Sequence, residues 1–164
     1  VRPVAILNAV DLMLKYSDIM IGSQEIPGEA SLVINITNCP FRCKGCNAKQ
    51  LWEDVGEPLS YENLNMLIDS TLQDITCVLF MGGDIAPDEI NELASHIRAN
   101  YPELKIAWYS GGETITVFTE YKNFDYLKFG PFIQKLGPLT STKTNQRLYR
   151  VEGGVLRNIT RLLW

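Results

Sequence analysis

Histidine is nearly missing from this chain: His96 is the single one among 164 residues. A structural zinc site takes four ligands, usually from two paired Cys or His motifs, and no second pair exists here. Long apolar runs are missing too. No stretch approaches the roughly 18 consecutive apolar residues of a membrane span. The opening residues Val1–Asn8 lack a long apolar core and Asp11 follows soon after, so no export signal is expected. Basic residues interleaved with aromatics are absent, which sets nucleic acid aside as a partner. No repeat, linker or low-complexity segment divides the chain, and one domain spanning 1–164 is expected.

What is present is ordinary in amount and uneven in distribution. The apolar fraction is 46% and the charged fraction 21%, the composition of a globular protein with a real core. The net charge of −4 conceals an asymmetry: residues 1–134 carry 9 basic and 18 acidic side chains, and residues 135–164 carry 6 and 1. Such a basic end is either a solvated face or a surface for an acidic partner.

Three of the four cysteines fall within eight residues, Cys39-Pro-Phe-Arg-Cys43-Lys-Gly-Cys46; the fourth, Cys77, lies in the apolar run 75–80. Spacings of three and two residues make a disulfide framework awkward, and the cytoplasm is the expected compartment. Three crowded thiolates need a positive centre, and soft sulfur selects zinc or iron–sulfur. Cys77 reads as a small buried hydrophobe. Three ligands for a four-iron cluster leave one iron open, which is a feature of catalysis.

The periodicity predicts strands at 31–37, 75–80, 105–109, 126–132 and 147–151. It predicts helices over 60–72, capped by Ser60, and from Pro87 onward, with Ile90, Leu93, Ala94 and Ile97 on one face. A further helix over 114–121 is weaker because of its β-branched content. Alternating strand and helix argue for an α/β fold with a parallel sheet, and 164 residues are too few for a closed eightfold barrel. The cysteine loop, Gly82-Gly83-Asp84 and Ser110-Gly111-Gly112 each follow the end of a different strand. Parallel sheets bind ligands beyond those ends, so the three loops should converge on one site. Arg42 and Lys44 read as solvated cations, and Trp52 and Trp108 as core.

These motifs resemble the radical S-adenosylmethionine (SAM) enzymes, and more closely the small activating enzymes of anaerobic ribonucleotide reductases. The resemblance starts at Gln24-Glu25-Ile26-Pro27-Gly28-Glu29, runs through residues 33–40 and the cysteine loop to Leu51-Trp52, and resumes at Phe80–Asp84, Trp108–Gly111 and Asn145-Gln146-Arg147. It implies a small partial (βα) barrel with a mainly parallel sheet of about five or six strands. It implies that Cys39, Cys43 and Cys46 hold a [4Fe–4S] cluster, and that Gly82, Gly83 and Asp84 meet the methionyl part of SAM. Ser110 and Gly111 would meet the ribose. Asn145, with Gln146 and Arg147, would bind SAM or dock the partner, although a plain strand-cap role fits equally. Gly45 stands where the family often has an aromatic residue.

The implied activity is that of an oxidoreductase: reductive cleavage of SAM and generation of a glycyl radical on anaerobic ribonucleotide reductase, with a flavodoxin-like electron donor. No acid–base residue is required, in keeping with the poverty in histidine. Two alternatives stand beside it. One is a radical SAM enzyme acting on another glycyl-radical protein or a small molecule; the other is a non-catalytic zinc-binding module using Cys77.

Overall fold

The computed structural model describes residues 12–113 and 121–164. Eight strands of the described residues form one sheet: β1 (Lys15–Gly22), β2 (Ser31–Ile36), β3 (Glu57–Pro58), β4 (Cys77–Met81), β5 (Lys105–Tyr109), β6 (Tyr126–Phe129), β7 (Arg147–Glu152) and β8 (Val155–Asn158). Their order is β3-β1-β2-β4-β5-β6-β7-β8. Among the described residues there are two α-helices, α1 (Tyr61–Thr71) and α2 (Pro87–Asn100). The helix expected over 114–121 falls almost wholly outside the described residues.

The expectation of a mainly parallel partial barrel of five or six strands is overturned. The sheet is mixed, and four of its seven pairings are antiparallel: β1 with β2, β1 with β3, β6 with β7, and β7 with β8. Only β2, β4, β5 and β6 run parallel. The cause is local at one edge. Gly153 and Gly154, with φ of 56° and 78°, form a two-residue turn with both central residues left-handed. That turn joins strands antiparallel. At the other edge, β1 folds back along β2 from Gly22 opposite Ser31.

Side chains alternate across the parallel strands. One face presents Leu32, Ile34 and Ile36, then Val78 and Phe80, Ile106 and Trp108, and Leu127 and Phe129. Both helices cover this face. α1 begins where Ser60 Oγ accepts the Asn63 amide at 3.1 Å and buries Leu64, Leu67 and Ile68. α2 begins with Pro87, carries Asp88 and Glu89 in its first turn, and buries Ile90, Leu93, Ala94 and Ile97. Each fully buried Leu or Ile contributes about 1.5–3 kcal/mol, so this layer fixes the strands beneath it.

The opposite face presents Val33, Cys77, Leu79, Ala107, Tyr126 and Leu148, packed with Ile26, Leu139 and Ile159 from connecting segments. Towards the C-terminal ends of the parallel strands the same face continues as Met81, Tyr109 and Lys128. There it meets the cysteine loop.

Candidate functional site

The cysteine loop leaves the end of β2 and is pinned by its backbone. The Asn38 amide donates to Glu53 O and the Cys39 amide to Leu51 O, each at 3.0 Å. The residue before each cysteine of the loop is left-handed: Asn38 at φ 59°, Arg42 at 45° and Gly45 at 77°. For a residue with a β-carbon this costs about 1–2 kcal/mol, and such outliers gather at functional sites. The repeated turn brings three half-buried thiols, none in a disulfide, to the wall of one cleft of about 160 Å³. Gly45 suits its place for a second reason. A β-carbon there would lie 2.9 Å from Gln134 Cδ, which leaves no room for an aromatic side chain without moving Gln134.

Two other loops complete the cleft, with walls that include Met81 at the end of β4 with Gly82 and Asp84 after it, and Tyr109 at the end of β5 with Ser110 and Gly111 after it. Gly82, at φ 96°, accepts the Trp108 indole N–H through its carbonyl at 2.7 Å. Gly83 faces elsewhere: a β-carbon on it would strike Ile90 Cδ1 at 2.5 Å, so it is glycine to let α2 pack. Asp84 joins two loops. Its Oδ1 accepts the Ser110 hydroxyl and its Oδ2 the Gly111 amide at 3.1 Å. Burial raises the Asp84 pKa, opposed by those two hydrogen bonds. Gly111 lies under the Phe41 ring, whose Cδ2 is 2.7 Å from where a β-carbon would stand. The second loop is thus tied to the third, and the third touches the first.

Asn145 stands behind this arrangement and is not among the cleft walls. Its Nδ2 donates to Pro131 O at 3.0 Å, and its buried Oδ1 has no partner among the described residues. Gln146 is buried, and Arg147 donates to the carbonyls of Thr144 and Gln146, both at 2.7 Å. Trp108 is core, 2% exposed. Trp52, expected as core, instead lines the cleft, with Arg42 and Lys49 each 5.9 Å from its ring centroid.

Sequence reasoning passed over Lys128. It is 8% exposed, lines the same cleft as the three thiols, and donates to Ser110 O at 3.2 Å and Gly130 O at 3.0 Å. Burial lowers its pKa to about 8, while Asp84 and the three cysteines pull it back up. The signal was legible: a lysine interrupts the apolar strand Tyr126-Leu127-Lys128-Phe129 at a position that alternation buries.

The donor set bears on what the cleft could hold. Among the described residues, no group of three or more His, Cys, Asp and Glu is gathered closely enough for a single metal ion. Three soft thiols on the wall of one cleft are a donor set whose chemistry suits an iron–sulfur cluster. The Cys46 sulfur also accepts the Ala48 amide at 3.3 Å, the kind of hydrogen bond that tunes such clusters. Cys77 is at the opposite end of β4, about 13 Å of strand from Met81 at roughly 3.3 Å per residue. Fully buried, its thiol pKa is pushed to about 12, chiefly by desolvation. It cannot join the other three.

Among the described residues no helix is long and apolar enough to cross a membrane. Comparison with curated proteins and with solved structures gives no match. Residues 27–151 do match a family model, that of the 4Fe-4S single cluster domain. This stretch contains the cysteine loop and every strand from β2 to β6. On that match, the chain belongs to the family of 4Fe-4S single cluster domains.

Proposed function

We propose that this chain is a radical SAM activase, in which Cys39, Cys43 and Cys46 hold a [4Fe–4S] cluster and the product is a glycyl radical on anaerobic ribonucleotide reductase. When bound, the cluster supplies one-electron reductive cleavage of SAM, the source of the radical that takes hydrogen from the glycine. The observation that carries the reading is the convergence of three thiols and two strand-end loops on one cleft, at the C-terminal ends of the parallel strands.

The chain's own residues bind and orient. Backbone groups of Gly82 and the Ser110-Gly111 loop offer polar contacts to the amino-acid and ribose parts of SAM. Lys128 places a buried positive charge beside the cleft, suited to a carboxylate. Asp84 holds the Ser110 loop in register with the Gly82 loop. Trp52 and Phe41 give the cleft apolar walls that exclude water. The cleft's 160 Å³ falls below the roughly 300 Å³ at which pockets enclose an organic ligand. A bound cofactor would keep one side uncovered, as a protein substrate requires. A flavodoxin-like donor and a reducing cytoplasm complete the reading.

The test is anaerobic reconstitution with iron and sulfide, followed by EPR of the reduced protein with and without SAM. A [4Fe–4S] signal that changes on adding SAM supports the reading. A signal indifferent to SAM, or no cluster at all, sinks it.

A further inference from the structure

Beside the thiol cleft lies a second groove of about 280 Å³, walled by Lys44, Phe132, Ile133, Gln134 and Lys135. Phe132 belongs to both, standing between the groove and the cleft that the three cysteines line. Gln134 lies directly against Gly45 of the cysteine loop. The floor is apolar, with Ile133 41% exposed, and the two lysines are exposed at its rim. Arg42 and Lys49, also exposed, extend the positive charge around the loop. This patch stands on a protein whose net charge is −4, with 18 acidic side chains against 9 basic ones in residues 1–134. A local field opposite in sign to the rest of the molecule steers one kind of partner.

We infer that this groove is the docking surface of an acidic one-electron carrier protein, whose carboxylates meet Lys44 and Lys135 and whose redox group rests over Phe132 and Ile133. The inference rests on the function proposed above. One electron leaves the reduced flavin or iron–sulfur group of the carrier and enters the cluster; no bond forms or breaks. The groove suits that transfer and not hydrogen abstraction. An electron crosses the one ring of Phe132, whereas a glycine must reach into the open cleft itself. Lys44 follows Cys43 directly, so a carrier seated there is adjacent to the ligand loop.

The experiment uses the reconstituted holoprotein and the variant Lys44→Glu/Lys135→Glu, with a reduced acidic flavodoxin as the probe. Stopped-flow absorbance follows cluster reduction against ionic strength, with dithionite as a chemical reductant in parallel. The expected result is a wild-type rate that falls about tenfold or more as salt rises, since steering is screened. The variant should be slower by a similar factor at low salt and insensitive to salt, with dithionite reduction and the SAM-dependent EPR change kept. Equal rates in the two proteins overturn the inference, as does a wild type that dithionite reduces and the flavodoxin does not. Loss of glycyl-radical formation with normal flavodoxin reduction overturns it too and assigns the groove to the substrate protein. Failure of the function proposed above shows separately, as a wild type with no SAM-responsive cluster.

Discussion

Asp84 and Ser110 are joined side chain to side chain across two neighbouring strand ends, the carboxylate accepting the serine hydroxyl while its second oxygen accepts the Gly111 amide. The aspartate therefore ties the β4 loop to the β5 loop. Asp84→Ala leaves both donors short of a partner in a mostly buried place and should destabilise the apoprotein by about 1–3 kcal/mol. Asp84→Asn, which keeps one acceptor, should cost less. Urea midpoints of the two variants decide it; two midpoints equal to that of wild type would mean the clasp holds nothing.

Lys128 contributes a buried positive charge to a cleft lined by three cysteines. Adding an electron to a cluster held there adds negative charge, and a nearby cation favours the reduced form. Lys128→Met keeps the length and removes the charge, so the midpoint potential of the reconstituted cluster should become more negative. Redox titration monitored by EPR reads this directly. An unchanged potential would show that solvent screens the ammonium from the cluster, and a more positive one would contradict the placement of the charge.

Cys77 is separated from the other cysteines by the length of β4. Cys77→Ala should leave iron and sulfide content after reconstitution unchanged and cost about 1 kcal/mol, the scale of a small core deletion. Cys39→Ala, Cys43→Ala and Cys46→Ala should each lose the cluster. Iron analysis separates the two groups, and loss of iron in Cys77→Ala would refute the ligand set.

His96 bridges the helices: its ring stacks on Tyr61 with centroids 4.2 Å apart, and Nε2 lies 2.8 Å from Asn65 Oδ1. Burial lowers its pKa, so the folded state binds fewer protons than the unfolded one just below the ordinary value of about 6.5. Stability from the neutral ring is complete above that value and is lost as pH falls toward the folded pKa. Between pH 7.5 and 5, the wild-type apoprotein should lose more thermal stability than His96→Phe, which keeps the stack and cannot titrate. Parallel melting curves across that range would contradict this.

The parts that were readable in the sequence are those with a strong local pattern. The pattern at 105–109 marks β5 because Ile106, Ala107 and Trp108 are all buried, and α1 and α2 are marked by their agreeing apolar stripes and N-terminal residues. β1 escapes the pattern: its Lys15-Tyr16-Ser17-Asp18-Ile19-Met20-Ile21-Gly22 has a single buried residue and only the three-residue apolar run Ile19-Met20-Ile21. β8 is four residues long with none buried, yet Gly153-Gly154 between two short β-prone runs was a hairpin signal that went unused. With both edges unread, and with 147–151 counted as one more parallel strand although β7 pairs antiparallel with β6, the pattern reads as a mainly parallel sheet. The site was legible through its cysteines and the two strand-end loops. What the motifs did not separate was function within a loop, where Asp84 clasps, Gly83 makes room for Ile90 and Trp52 faces the cleft.

The alternation in β6 has one more consequence. Tyr126 and Lys128 point to one side of the sheet, Leu127 and Phe129 to the other. The charge in the cleft is thus a matter of parity. A single residue inserted before β6, with the pairing to β5 kept in place, would turn the ammonium under the helices and a phenyl ring toward the thiols. Composition, net charge and strand propensity would hardly change, and the thiol-lined cleft would be left without its buried lysine.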